Sequence, residues 1–185
     1  MILAQAQIRE EVAKGQIRFD PPLEERQWHE ASVDLRLGFK FTKLIAKPGL
    51  KVSLAYGMST IADTGLWKEK ILKREDDFGK SESYTVDPGE FILAQTYERI
   101  WVPRHLIGAV EGRSSYARAG LSMHLTAPWL QPSWNGLLTL EIFNSGPLTI
   151  ELTPAVDKPC QLTFFQLTSE VPKEIAYGAR PSDTF

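Results

Sequence analysis

Cysteine is almost missing from this chain. Cys160 stands alone among 185 residues, so no disulfide can form within the chain and no cysteine-rich zinc site can be assembled. A reducing cytoplasm is the simplest compartment for such a composition. Histidine is nearly as scarce, with His29, His105 and His124 only, and no two of them share a metal-ligating spacing. No apolar run approaches the roughly 18 residues of a membrane-spanning helix. The opening MILAQAQIREEVAKG lacks the basic start, apolar stretch and small-residue cleavage site of a secretory signal, so a soluble, unexported protein is expected. Positive charge is not in excess either: the net charge is -2, which excludes a broad electrostatic grip on duplex nucleic acid. A small anion held by two or three local arginines is still compatible with that balance.

Hydrophobic residues make up 43% and charged residues 24%, the makeup of a globular protein, and the length fits a single domain over residues 1–185. Between Ala4 and Lys14, Ile8 and Val12 lie four apart while Arg9, Glu10, Glu11 and Lys14 fall elsewhere, which predicts a helix that Gly15 can close. Ile17 and Phe19 alternate ahead of Asp20-Pro21-Pro22. Residues Ala31 to Phe41 place Val33, Leu35, Leu37, Phe39 and Phe41 on one parity and Asp34, Arg36 and Lys40 on the other. That is a half-buried strand, with Asp34 and Arg36 read as solvated or mutually paired. Residues Lys43 to Ser83 carry little pattern beyond turns, short strands and a surface excursion, and the charged run Lys68 to Asp77 reads as a solvated loop or short helix. Further extended runs fall at Tyr84 and Val86, Phe91 to Gln95, Ile100 to Pro103, Leu106 to Val110, Leu148 to Leu152 and Leu162 to Leu167, with Asp87-Pro88-Gly89-Glu90 as a turn. Many short strands and one helix argue for a mainly β sandwich or jelly-roll-like domain. Residues 171–185 are polar and without core periodicity, either frayed or a C-terminal flap ordered by a ligand.

Chemically capable side chains concentrate between Glu111 and Gly146. Arg113-Ser114-Ser115-Tyr116-Ala117-Arg118-Ala119-Gly120 follows an apolar strand, and a serine there can cap a short helix that Gly120 ends. Exposed N–H groups at that helix start, with Arg113 and Arg118 beside them, form a corner suited to phosphate. A capped turn with surface arginines is the plainer alternative. The strand Gly136 to Asn144 alternates, with Leu138, Leu140 and Ile142 on one side and Leu137, Thr139, Glu141 and Phe143 on the other. Glu141 therefore projects between apolar and aromatic neighbours. Such a carboxylate either takes a cationic partner, Arg113 or Arg118, or has the raised pKa that a general base near neutral pH requires. His124 reads as a satisfied structural histidine. There is no P-loop, no Gly-x-Ser-x-Gly elbow and no His-x-Glu with Pro-Cys-x-x-Cys.

Taken together, Gly112 to Leu121, His124-Leu125-Thr126-Ala127, Gly136, Thr139-Leu140-Glu141 and Asn144-Ser145-Gly146 closely resemble the dCTP deaminase family of the dUTPase-like superfamily. Met1-Ile2-Leu3, the helix ending in Lys14-Gly15, Ala31 to Gly38 and Pro88-Gly89-Glu90-Phe91 match as well, and the match is weakest between Lys43 and Ser83. The resemblance implies a distorted jelly-roll, or β-clip, with a short N-terminal helix, assembled as a homotrimer with nucleotide sites between subunits. It implies hydrolytic deamination of dCTP to dUTP and ammonia without zinc, with Mg2+ accompanying the triphosphate. Residue by residue, it implies that Glu141 deprotonates the attacking water, that Ser114 and Arg118 hold that water or the tetrahedral centre, and that the Ala127 carbonyl accepts from the amino group. It further implies that Arg113, Ser115 and the turn through Tyr116 and Ala117 engage phosphates, and that Thr139 and Leu140 meet base or sugar through their strand. Tyr177 corresponds to the first aromatic of the family's C-terminal flap.

Some residues depart from the family pattern. Where the family reads Ile-Asp-Pro-Gly before an aromatic, this chain has Leu130-Gln131-Pro132-Ser133-Trp134. Gln131 cannot act as a base, although its amide can hydrogen-bond a deoxyribose 3′-hydroxyl. Ala155 replaces a glycine after Pro154, the run to Gln161-Leu162 is one residue longer, and Ser182-Asp183-Thr184-Phe185 places Thr184 and Phe185 near the position of the Lys-Tyr in the family's Lys-Tyr-x-x-Gln-like flap motif. Two further readings follow. One is a bifunctional deaminase–diphosphatase forming dUMP, against which the missing aspartate argues. The other is a nucleotide-binding regulator without turnover, which Gln131 and the altered tail motivate.

Overall fold

The computed structural model describes residues 1–45, 47–53, 66–73 and 82–178. The expectation for Ser182 to Phe185 lies outside the described residues, as does most of the surface excursion between Lys43 and Ser83. Helix α1 (Gln5–Ala13) forms where the apolar spacing places it, burying Ile8, and Gly15 ends it at φ 69°. The strands are β1 (Arg18–Asp20), β2 (Val33–Leu35), β3 (Leu37–Leu44), β4 (Trp67–Ile71), β5 (Tyr84–Val86), β6 (Phe91–Trp101) and β7 (Leu106–Gly112). A short helix α2 (Ser114–Arg118) precedes β8 (Leu121–Ser122), β9 (Trp129–Leu130), β10 (Asn135–Asn144), β11 (Ile150–Leu152) and β12 (Cys160–Gln166).

One sheet runs β4-β3-β6-β10-β8 with β1 added along β6, a second runs β2-β12-β7-β9, and β5 pairs with β11. Ile92, Leu140 and Ile142 from the first sheet and Val110, Leu162 and Phe164 from the second share one apolar core. The mainly β architecture with its N-terminal helix is therefore as expected. No helix among the described residues is long and apolar enough to cross a membrane.

Three expectations are corrected, and in two of them the same physics is responsible. Phe91 to Pro103 is not two strands but the single 11-residue β6. Its inward positions include Thr96 and Glu98 between Ala94 and Ile100, and these polar residues interrupt the apolar alternation although both are buried. The Thr96 hydroxyl accepts the Leu138 N–H at 3.0 Å where the β6–β10 register slips, and donates to the Glu98 carbonyl at 2.9 Å. Conversely, Ala31 to Phe41 is two strands in different sheets, broken at Arg36. Asp34 and Arg36 are neither solvated nor paired with each other: both are buried, Asp34 beside Arg113 and Arg36 beside Glu98. Finally, of the charged run Lys68 to Asp77, Lys68 to Ile71 belong to the exposed edge strand β4 rather than to a loop or helix, and their charged side chains discourage further strand pairing there, while residues 74–77 lie outside the described residues.

The two departures from glycine leave a mark on the backbone. Among the described residues, Ser133 (φ 74°) and Ala155 (φ 61°) are the non-glycine residues in the left-handed region. Ala155 is fixed there by its N–H, which donates to the Leu37 carbonyl at 2.8 Å. Left-handed backbone costs an alanine about 1 kcal/mol or more. Glycine's extra freedom in the unfolded chain returns about 0.4–1 kcal/mol of that. Ala155→Gly should therefore leave the thermal midpoint unchanged or raise it by a degree or so, and a clear fall in calorimetry would contradict the strain argument.

Candidate active site

The polar turn after β7 is built differently from a serine-capped helix. The N-cap of α2 is Arg113, which makes no side-chain capping bond. Ser114 and Ser115 are therefore not used in capping, and both are exposed. The Tyr116 and Ala117 N–H groups turn inward to the Arg113 carbonyl, each at 3.0 Å. Tyr116 also donates its hydroxyl to Asp157 Oδ1 at 2.6 Å, and burial, reinforced by that carboxylate, pushes the phenol well above its ordinary pKa. Tyr116, through its hydroxyl and N–H, and Ala117, through its N–H, are thus engaged within this chain, beside the exposed Ser114–Ser115 end of the turn and the two arginines.

Arg113 and Arg118 then diverge. The Arg113 N–H donates to the Pro159 carbonyl at 2.9 Å, and its Nη1 lies 3.2 Å from the Lys158 carbonyl and 3.1 Å from Asp34 Oδ2. Arg118 is exposed, and its side chain has no hydrogen bond or ion pair among the described residues. Gly120, at φ 98°, closes the turn against the end of β10. A Cβ at Gly120 would collide with the Gly146 backbone, and one at Gly146 with the Ala119 carbonyl. The Ser145 N–H donates to the Gly120 carbonyl at 2.8 Å across the same joint.

Glu141 is half-buried on the outward side of β10, opposite Leu93 of β6. The loop after β8 folds over it: the Glu141 N–H donates to the Met123 carbonyl, and Glu141 Oε2 accepts the Leu125 N–H, both at 3.0 Å. Neither Arg113 nor Arg118 pairs with it, so of the two expectations for this carboxylate the ion pair is not formed among the described residues. Ala127, in the same loop, is exposed. Thr139 shares the outward face of Glu141 and lines a shallow depression with Lys40, Thr42 and Gln95. Leu140 faces the core with no exposure, so only its backbone could meet a ligand.

Gln131 and Tyr177 belong to the other end of β10. Gln131 is exposed in the turn before the strand, the Tyr177 N–H donates to the Pro132 carbonyl at 3.1 Å, and the Tyr177 ring stacks on Trp134 at 4.9 Å. From Asn135 to Glu141 the strand spans about 20 Å. The chain thus places α2 and Glu141 towards one end of β10 and Gln131 with Tyr177 at the other. Sequence reasoning missed Asp34 and Asp157, the carboxylates that anchor this turn. Alternation between Val33 and Leu35 assigns Asp34 to the solvent side, and no sequence signal marks its burial in a strand that is covered throughout.

The sequence profile of the dCTP deaminase-like family matches residues 2–167. The dUMP-forming dCTP deaminase of Methanosphaera stadtmanae is 37% identical over 185 residues, covering 99% of this chain and 87% of that protein. The dCTP deaminase of Rhodospirillum rubrum is also 37% identical over 185 residues, covering 98% and 90%. Among solved structures, the 2′-deoxycytidine 5′-triphosphate deaminase of Agrobacterium tumefaciens has the same fold, with a TM-score of 0.64 at 22% identity over 88% of this chain, which spans 47% of that longer one. With relatives 37% identical over nearly the whole of this chain, and with a profile that takes in both the turn at Arg113 and the strand at Glu141, the chain belongs to the dCTP deaminase-like family.

Proposed function

We propose that this protein hydrolyses dCTP to dUTP and ammonia, with Glu141 as the proton-transferring group. The observation that carries this reading is the state of that side chain. Its carboxylate is half-buried and oriented by a backbone N–H, yet no described cation neutralises it. A carboxylate so placed can take a proton from water as the water oxygen adds to C4 of cytosine. That proton is delivered to the ring nitrogen, where uracil keeps it; the proton of the new C4 hydroxyl then passes by way of Glu141 to the amino group, the C4–N bond breaks, ammonia leaves and the C4 carbonyl forms. Ser114 and Arg118 hold the water and the tetrahedral centre, and the Ala127 carbonyl accepts from the amino group. Arg113 and Ser115 engage phosphates, while Gln131 meets the 3′-hydroxyl. Thr139 and the Leu140 backbone line the base and sugar, and Tyr177 flanks the nucleotide.

On this reading Mg2+ arrives with the triphosphate as part of the substrate. Among the described residues no three His, Cys, Asp or Glu side chains cluster as metal ligands, so the ion's donors would be phosphate oxygens and water. The site is completed between subunits of a homotrimer. Two features support that assembly: the exposed Ser114, Ser115 and Arg118, whose side chains have no partner among the described residues, and the exposed apolar side chains of Leu125 (51%), Trp129 (52%) and Leu137 (37%).

The deciding experiment incubates the protein with dCTP and Mg2+, then follows ammonia and separates the nucleotides. Equimolar ammonia and dUTP are expected; folded protein that releases no ammonia would rule the reading out. A second reading has support in the relatives named as dUMP-forming, from Methanosphaera stadtmanae and Methanobrevibacter smithii. The neutral Gln131 disfavours the added hydrolysis, and dUMP with pyrophosphate in the same chromatogram would reverse that preference.

A further inference from the structure

The charged residue that the site description leaves unexplained is Asp34. It is 1% exposed, on a strand buried along its whole length, yet two cationic side chains and one imidazole nitrogen converge on one of its oxygens. Arg113 Nη1 lies 3.1 Å from Oδ2, His29 Nε2 3.0 Å and Lys158 Nζ 3.8 Å. None of these contacts has hydrogen-bond geometry at the carboxylate, so its attraction to Arg113 and Lys158 is one of charge. Of the three, only Arg113 belongs to the phosphate-binding turn, and it is tied there by a single nitrogen, Nη1, which also donates to the Lys158 carbonyl. Its Nε and Nη2 have no partner among the described residues, and the side chain is 31% exposed.

We propose that Asp34 is a positioning residue for the substrate's phosphates: it holds one edge of the Arg113 guanidinium inside the protein so that the other edge is presented to the triphosphate. This rests on the reading above that Arg113 engages phosphate. Guanidinium donors are rigidly arranged, so fixing one nitrogen orients the remaining pair for a two-point contact with phosphate oxygens. A free arginine on the same turn would have to be immobilised at each binding event, which weakens binding without touching the chemistry. The partners of Asp34 all reach solvent, at 31%, 38% and 18% side-chain exposure, so removing its charge does not strand a fully buried cation.

Asp34→Asn keeps the shape and removes the charge. With dCTP it should raise KM about tenfold and leave kcat within about twofold, a split that general loss of structure does not produce. In an Arg113→Ala background the same substitution should add less than about a twofold change, because the group through which it acts is gone. An unchanged KM, or a full tenfold effect persisting without Arg113, would overturn the proposal. If Asp34→Asn does not fold, Asp34→Glu, which moves the charge by one methylene, is read by the same two criteria. Calorimetry with inorganic tripolyphosphate separates this proposal from the dCTP reading. Should the wild type prove inert towards dCTP, binding of tripolyphosphate about tenfold tighter than by Asp34→Asn would still support the clamp, and equal or absent binding would overturn it.

Discussion

Glu141→Gln should reduce ammonia release from dCTP by about a thousandfold, the middle of the range that a positioned proton-transfer group contributes. The substitution isolates the chemistry because glutamine keeps the length of the side chain, and its amide oxygen can still accept the Leu125 N–H that the carboxylate holds at 3.0 Å. The loop over the strand therefore stays in place, and calorimetric affinity for dCTP should change by no more than a few fold. Glu141→Ala is a poorer probe, since it removes proton transfer and loop anchor together. An amide variant that retains activity within tenfold of the wild type would require a different group to take the proton from water.

Glu98→Ala should produce the largest loss of stability of any single substitution in the first sheet. Glu98 is fully buried and accepts three bonds: from the Arg36 N–H at 2.9 Å, from Arg36 Nε at 2.7 Å and from Gln27 Nε2 at 2.9 Å. Arg36 is itself 8% exposed, and its other arm pairs with Glu24 at 2.6 Å. Truncation would leave a buried guanidinium short of its counter-ion, which typically costs about 3–5 kcal/mol. Against a total of about 5–15 kcal/mol for a folded domain, that is a large share. The thermal midpoint should fall by about 10 °C. Replacing Arg36 and Glu98 together by Met and Leu should recover much of the loss, since no charge then remains to be compensated. A fall of only a degree or two for the single variant would show that water replaces the missing carboxylate.

These two residues also mark how far the chain could be read before its fold was known. Glu141 was legible because its neighbours Leu140 and Ile142 alternate cleanly with it, and the core takes up the apolar parity as expected. Glu98 was not, because a polar residue on the inward face breaks the pattern that identifies a strand; Asp34 and Arg36 were not, because clean alternation assigns them to the solvent side of a half-buried strand, whereas both are buried. Their burial follows from partners distant in sequence, Gln27 for Glu98 and Arg113 for Asp34, and no local spacing reveals such pairings. The turn at Arg113 was recognisable by composition, but its inner workings were not. The serines do not cap, and Tyr116 turns away to Asp157.

The contact between Gly120 and Gly146 has a mechanical consequence. With no side chain on either to act as a cushion, the end of α2 and the end of β10 meet backbone to backbone, and Ser145 pins them. Arg118 and Glu141 are thereby mounted on a common frame. On the proposed reading, a nucleotide held by the arginine would carry the carboxylate with it, and a single added methyl group at either glycine should disturb the placement of both at once.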